Sequence, residues 1–309
     1  MLDRYCSSGY NKLMEFRVLK YFLTVSDIGN ITKAANSMHL TQPTLSRQLQ
    51  DLEKELGQQL FVRGGKSVSL TPEGIVLRKR AQEIMELVEK TESEMLAIKD
   101  EIAGDIYIGA GETKSIKVLT DIMRNLKNSY PKVKFHIVSG DSEDLSERLD
   151  KGLLDFCVFI EPFKPNKYDY VNIGEKDIWG ILLRKDEPLA KKKSVTVDDI
   201  IGLPLLISRQ AIKKTFEDNA ILNWFGEDFE KLNIAGTYNL IYNAAIMTED
   251  RIGYALGLDR LIADTVNSPL TFRPLNPKLE VGISIAWKKN QVFSKPAKIF
   301  LEELQKRFK

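Results

Sequence analysis

Residues 41–57 read TQPTLSRQLQDLEKELG. Gln42, Thr44, Ser46, Arg47 and Gln50 sit there on a helical pattern that also carries Leu45, Leu49, Leu52 and Leu56. At 100° per residue the four leucines fall together and predict a buried stripe. Opposite them, centred near Arg47, lie Pro43, Thr44, Gln50 and Asp51, with Ser46 at the edge. Arginine presents a planar fork of donors, and glutamine pairs a donor with an acceptor. The face is therefore built for hydrogen bonding to flat polar edges and anions rather than for acid–base or nucleophilic chemistry.

Other candidate chemistry is weaker. Gly64–Ser67, GGKS, ends like a phosphate-binding loop, but the glycine that motif needs five residues before Gly65 is Leu60. The run GAGETK from Gly109 resembles a dinucleotide fingerprint, yet its third glycine would be Lys114. His39 and His136 stand alone, and no zinc-ligand spacing or catalytic set is present. His39 reads as a packing or capping residue. Cys6 and Cys157 give no disulfide framework, and Cys157 lies in the apolar run LLDFCVFI as a small buried hydrophobe. No catalytic residue and no metal site is expected.

The elements that position the Arg47 face come from its flanks. Three helical patterns are expected: one from Met14 with Phe16, Leu19, Phe22 and Leu23 on its face, one capped by Asn30 or Thr32, and one capped by Thr41 with Pro43 in its first turn. Leu60, Phe61 and Val62 then suggest a strand, Gly64-Gly65 a turn, and Ser67 to Leu70 a return strand. Three helices and a hairpin tipped by Arg63 and Lys66 make a winged helix-turn-helix over 14–71. Between Glu15 and Leu70 there are seven Lys/Arg (17, 20, 33, 47, 54, 63, 66) against five acids (15, 27, 51, 53, 55). Thr71-Pro72-Glu73 opens a long helix over 72–104. Its positions Leu77, Ala81, Ile84, Val88, Thr91, Met95, Ile98 and Ile102 alternate spacings of four and three. That register, narrow and flanked by charge, predicts a dimerising coiled-coil seam, with packing on the chain's own core as the rival.

The chain has 309 residues, 43% hydrophobic and 28% charged, with a net charge of +2. Two or three domains follow from the length. No apolar run is long enough to span a membrane, and residues 1–13 lack a signal-peptide core, so a cytoplasmic protein with a disordered N-terminal extension is expected. Beyond Gly104, strands and helices alternate: DIYIGAG, a helix at 115–130, VKFHIVSG, a helix at 144–151, LLDFCVFI, then a second alternating segment from Ile178. That order implies parallel sheets with crossover helices. The expected fold is multidomain, α plus α/β, with two Rossmann-like α/β subdomains, one over 105–175 and 271–309 and the other over 176–270.

FRVLKYFLTV, the Thr32–Ala35 run TKAA, LTQPTLSRQLQDLEKELG, LFVR and LTPEG together resemble the LysR-type transcriptional regulators of bacteria. Tyr130-Pro131, the glycine of VSGDS, LLDFCVFI and IGYALG at 252–257 are similar to the family's second half, whose subdomains resemble type 2 periplasmic binding proteins. The resemblance implies that the third helix enters the major groove of double-stranded DNA. Lys33, Gln42, Pro43, Thr44, Ser46 and Arg47, with Arg63 and Lys66 in the wing, would face DNA. The chemistry agrees, since Arg suits guanine and Gln adenine, while Thr, Ser and Lys suit phosphates.

The resemblance also implies a small-molecule effector between the two subdomains, beyond the carboxyl ends of parallel strands. Gly111, Glu112, Thr113, Ser139, Ser142, Phe159, Ile160, Ser208, Arg209 and Asn239 are its expected contacts. Gly111 stands where the family commonly has serine, and Glu112 adds an acid, which argues against a simple carboxylate effector. Arg209 and Lys114 would favour an anion if they point inward. Further implied partners are a second copy of the chain, as homodimer or homotetramer, and RNA polymerase. No cofactor beyond the effector and no membrane is implied. The rival readings are a ligand-independent regulator whose α/β half only oligomerises, an enzyme on this fold, and a solute-binding transport component.

Overall fold

A computed structural model describes residues 14–64, 67–96, 102–163, 165–212 and 219–308. The chain divides into two compact units, Met1–Glu92 and Ser93–Lys309. The proposed extension 1–13 lies outside the described residues.

In the first unit, α1 (Phe16–Ile28), α2 (Ile31–Ser37) and α3 (Gln42–Leu56) precede a hairpin of β1 (Phe61–Gly64) and β2 (Ser67–Leu70). Gly29, at φ +66°, ends α1, and the Asn30 side chain accepts the Lys33 N–H to open α2. Thr41 caps α3 and Gly57, at φ +65°, closes it. His39 takes the turn between α2 and α3 at φ +55°. Leu45, Leu49 and Leu52 are buried, whereas Leu56, assigned to the same stripe, is exposed because it sits in the last turn where the core ends. Phe16 is likewise exposed, at the first turn of α1.

The long helix α4 (Pro72–Leu96) corrects part of the seam. Ala81 is fully buried in the core that holds Phe22, Leu49 and Phe61, and Leu77 and Ile84 pack against that core. So small a domain closes its core only with help from the next helix. Val88 is half-buried and Thr91 and Met95 are exposed, while Ile98 lies outside the described residues.

The second unit is built on one path of strands, in the order β4, β3, β5, β11, β6, β9, β7, β8. Its first lobe holds β3 (Gly104–Ala110), α5 (Lys117–Ser129), β4 (Val133–Ser139), α6 (Ser142–Asp150), β5 (Phe156–Ile160) and, from the chain end, β11 (Glu280–Lys288) and α10 (Lys295–Phe308). β3 lies parallel between β4 and β5, and β11 returns antiparallel to β5. β6 (Tyr168–Arg184) pairs with β11 over Tyr168–Ile178 and then crosses into the second lobe.

There, Trp179–Leu182 of β6 pair antiparallel with β9 (Tyr254–Leu258), which lies parallel to β7 (Leu205–Ser208); β7 in turn pairs parallel with β8 (Ile234–Tyr238). The helices α7 (Val197–Ile200), α8 (Ala220–Phe225) and α9 (Ile241–Glu249) flank this lobe. Each lobe has apolar cores on both sheet faces. The 271 boundary needs correction: β10 (Leu270–Pro274) pairs with Gly180–Arg184, and Leu275 joins the second lobe's core, so the chain returns only between Leu275 and Glu280.

Candidate functional sites

Two sites emerge, one in each unit. On α3, Gln42, Pro43, Thr44, Arg47 and Gln50 are exposed and Ser46 is half-buried, while the leucines opposite are closed away. Lys33 on α2 is exposed too. No ion pair among the described residues engages Arg47 or Lys33, so both cations remain available to an anion. Thr41 and Thr44 share a hydroxyl–hydroxyl bond of 2.7 Å at the helix start. Strand β1 carries Arg63 at the hairpin, and Lys66 lies outside the described residues.

The hairpin and α4 are held to α3 by specific bonds. Glu53 Oε1 accepts the N–H groups of Leu60 and Phe61 at 2.9 and 3.2 Å. The Thr71 hydroxyl donates to the Gln59 carbonyl and accepts the Gly74 N–H at 3.0 Å. Any Cβ on Gly74 would stand 2.2 Å from the Leu60 carbonyl oxygen. The T-P-E-G run therefore fits a helix start pressed against the first strand of the wing.

In the second unit a cavity of about 100 Å³, partly open to solvent, lies between the two lobes. Of the ten expected contacts, Gly111, Glu112, Ile160, Ser208 and Asn239 line it. The other five do not. The Thr113 hydroxyl is turned onto Asp177 of β6 and accepts the Ser115 N–H, so it is buried and fully used. Phe159 is buried against Leu145 and Leu149 and stacks on Phe163, since adjacent residues of a strand point to opposite faces and Ile160 takes the cavity. Ser139 is exposed at the end of β4. Ser142 accepts from the Gln210 side-chain amide, and Arg209 pairs with Asp141 at 3.3 Å. Lys114 is exposed and outside the lining, so neither cation suggested for an anionic effector enters the cavity.

Asp141, Glu161, Trp179, Gln210, Tyr238 and Ile241 line the cavity without having been expected there. Asp141, Glu161, Gln210 and Tyr238 each sit within a residue or two of an expected position, which is as close as strand-end reasoning reaches. Ile241 likewise lies two residues from Asn239, whereas Trp179 had no such signal. Among the described residues, three polar contacts bridge the lobes at this cavity: Asp141 to Arg209, Ser142 to Gln210, and Glu112 Oε2 to the Ile241 N–H at 2.5 Å.

Titratable groups nearby are perturbed. Asp177 is fully buried, and burial raises its carboxyl above the ordinary range although Thr113 and Ser115 donate to it. Burial, with the Glu112 charge second, pushes the Tyr238 phenol up, and its hydroxyl donates to the Leu256 carbonyl at 2.6 Å. Burial alone dominates the raised Cys157 thiol, an inert core residue. No group of three metal-ligating side chains occurs among the described residues, and none of their helices is long and apolar enough to cross a membrane.

Comparison with known proteins gives concordant results. Residues 16–75 match the model for the bacterial regulatory helix-turn-helix protein, lysR family, and residues 99–309 match the LysR substrate binding domain. The HTH-type transcriptional regulator YybE of Bacillus subtilis (strain 168) is 29% identical over 290 residues, covering 93% of this chain and 97% of its own. The Hca operon transcriptional activator HcaR of Escherichia coli (strain K12) is 26% identical, covering 92% and 94%. The structure of CbnR, a LysR family transcriptional regulator, superposes with TM-score 0.75 at 21% identity over 96% of this chain and 100% of that one. Full-length CbnR bound to its target DNA gives 0.73, likewise at 21% identity, over 95% and 100%. At that identity the likeness is one of fold.

Proposed function

The chain belongs to the LysR family of bacterial helix-turn-helix transcriptional regulators, and we propose that it reads DNA with the exposed face of α3 and answers to a small molecule held between the two lobes of its second unit. The DNA reading is carried by one observation: Arg47 is exposed and unpaired opposite three buried leucines. A merely solvated face could carry the same residues, so the reading is supported by their place on the third helix of the helix-turn-helix that residues 16–75 match. Arg47 would take the edge of a guanine, Gln42 an adenine or a backbone group, and Thr44 and Lys33 phosphates. Arg63 and Lys66 would extend the contact from the wing.

The exposed Thr91 and Met95, with half-buried Val88, leave the distal part of α4 free to pair with a second copy, so that two α3 helices would meet inverted half-sites. Effector binding would shift the equilibrium between two arrangements of that assembly. RNA polymerase is the partner such a regulator would address, in the cytoplasm.

The test is selection of bound fragments from random genomic DNA by the purified protein, followed by footprinting of the best site at two salt concentrations. A dyad protected over several helical turns is the expected result. Weak, salt-sensitive binding without sequence preference would overturn base reading by α3.

A further inference from the structure

Resting on the reading of the cleft as an effector site, we propose that its ligand is an organic cation: an ammonium group on an apolar or aromatic body, held between Glu112 and Glu161. Three carboxylates, Glu112, Asp141 and Glu161, line the cavity, and no lysine, arginine or histidine does so among the described residues. Asp141 is compensated. Its Oδ1 accepts the Glu143 and Asp144 N–H groups at the start of α6, and its Oδ2 faces Arg209.

Glu112 and Glu161 are not. Neither makes an ion pair among the described residues. Glu112 uses Oε2 on the Ile241 N–H, and Glu161 uses Oε1 on Asn172 and Ser284, both neutral donors at 3.2 Å. Oε1 of Glu112 and Oε2 of Glu161 have no hydrogen-bond partner among the described residues. The two side chains leave neighbouring strand ends: β3 and β5 are parallel with Ala110 opposite Val158, and such strands lie roughly 5 Å apart.

The site also keeps space for this acid. A Cβ on Gly282 would stand 2.3 Å from Glu161 Oε2, so only glycine lets the carboxylate lie there.

The rest of the wall suits the body of such a ligand. Trp179, Tyr238, Ile160, Leu258 and Leu261 supply apolar and aromatic surface. Aromatic faces attract cations, and a cleft with low-dielectric walls focuses the field of its charges. An anion meets the opposite conditions. The amide at the start of α9, the natural seat for a carboxylate, is already taken by Glu112. Among the described residues no cation offsets Glu112 and Glu161, and a bound organic cation would supply that charge.

The experiment uses the full-length protein and four probes sharing a phenylalkyl body: 2-phenylethylamine, its trimethylammonium analogue, 3-phenylpropionate and 3-phenyl-1-propanol. Tryptophan fluorescence and thermal shift report binding, and Trp179→Phe assigns the optical signal. The two cations are expected to bind saturably, and the carboxylate and the alcohol about tenfold more weakly or worse. Glu112→Gln and Glu161→Gln should each weaken the cations by about tenfold, the loss of one charge-assisted contact. Gly282→Ala, which keeps the charge but displaces Glu161, should weaken them too.

Equal or tighter binding of the carboxylate or the alcohol overturns the proposal, as does cation binding indifferent to both glutamine variants or failure of either cation to bind at millimolar concentration. If the carboxylate binds and changes the DNA footprint, the charge assignment falls and the effector reading stands. If no probe of any charge binds or alters the footprint, both fall.

Discussion

Oε2 of Glu112 accepts the backbone N–H of Ile241 at 2.5 Å, joining the loop after β3 in one lobe to the first turn of α9 in the other. The start of α9 has no side-chain cap of its own, since its N-cap residue is Leu240. An acid from across the cleft therefore does the work that Ser, Thr, Asp or Asn does elsewhere. Glu112→Ala should leave that amide to water. Its hydrogen exchange is expected to accelerate, with a loss of about 1–2 kcal/mol in the stability of the second unit. Trp179, Trp224 and Trp287, the three tryptophans, all lie in that unit, so urea unfolding followed by their fluorescence reads it without interference. Unchanged exchange at Ile241 would show that the contact does not persist in solution.

Gly74 is predicted to be irreplaceable for a reason confined to the first unit. A Cβ there would meet the Leu60 carbonyl oxygen at 2.2 Å, and neither backbone can yield without disturbing the Thr71 bonds to Gln59 and Gly74. Helix propensity alone would make Gly74→Ala stabilising by up to about 1 kcal/mol. Overpacking against backbone should win and destabilise by about 1–3 kcal/mol. Exchange mass spectrometry over residues 59–75 checks the sign: slower exchange in the variant would refute it.

His39 makes the opposite case. It holds φ +55° in the turn between α2 and α3, without β-branching and without an ion pair among the described residues. Placing glycine there removes about 1 kcal/mol of left-handed strain, offset in part by the greater freedom of the unfolded chain. His39→Gly is expected to leave the fold intact and the melting temperature within a few degrees, and a large loss would mean that the imidazole makes a contact worth more than the strain.

What the sequence revealed depended on range. Thr41, Gly57, Gly29 and the T-P-E-G start act within a turn or two, and the caps fall where those residue types demand. The α4 seam was ambiguous because spacings of three and four serve a coiled coil and an ordinary core equally well; Ala81 is fully buried in the first unit's own core, with Leu77 and Ile84 packed against that core. The cleft was harder. Strand ends located Glu112 and Ile160, but alternation sent Phe159 to the other face. Trp179 reaches the cavity only because β6 crosses between lobes, and the bond from the Ile241 N–H to Glu112 uses backbone, which no side-chain pattern reports.

On the DNA face the two kinds of contact should separate by salt. Arg47→Ala is expected to cost about 1–3 kcal/mol of binding to the selected site and to relax preference at one base pair. Lys66→Ala should weaken binding evenly across sequences and lower the slope of log affinity against log salt by about 1. Titrations at several salt concentrations on cognate and scrambled DNA decide both. Full affinity of the Arg47 variant for the cognate site would remove Arg47 from base reading, and an unchanged slope would remove Lys66 from the phosphates.

Asp177 predicts a pH dependence of definite sign. Its carboxyl is raised in the folded protein, chiefly by burial, so the native state holds its proton more tightly than the unfolded chain, where Asp titrates near about 3.9. Folding is then favoured by this group at acid pH, and the advantage is lost as pH rises from the unfolded value through the raised one. Above that window the ionised carboxylate stands at full disadvantage, softened by the Thr113 and Ser115 hydroxyls and opposed by nearby Asp259. Asp177→Asn keeps one acceptor and carries no charge. Its stability relative to the native sequence should therefore be lowest at the acid end and should climb as pH rises, levelling off once Asp177 is ionised. Asp186 is the control of opposite sign. Arg184, and then Arg251, lower it to about 2, so its contribution is present above the unfolded value and fades only as pH falls toward the folded one. Urea midpoints of the tryptophan-reported transition between pH 4 and 7 would test Asp177, and a stability of Asp177→Asn relative to the native sequence that falls as pH rises would reverse the assignment.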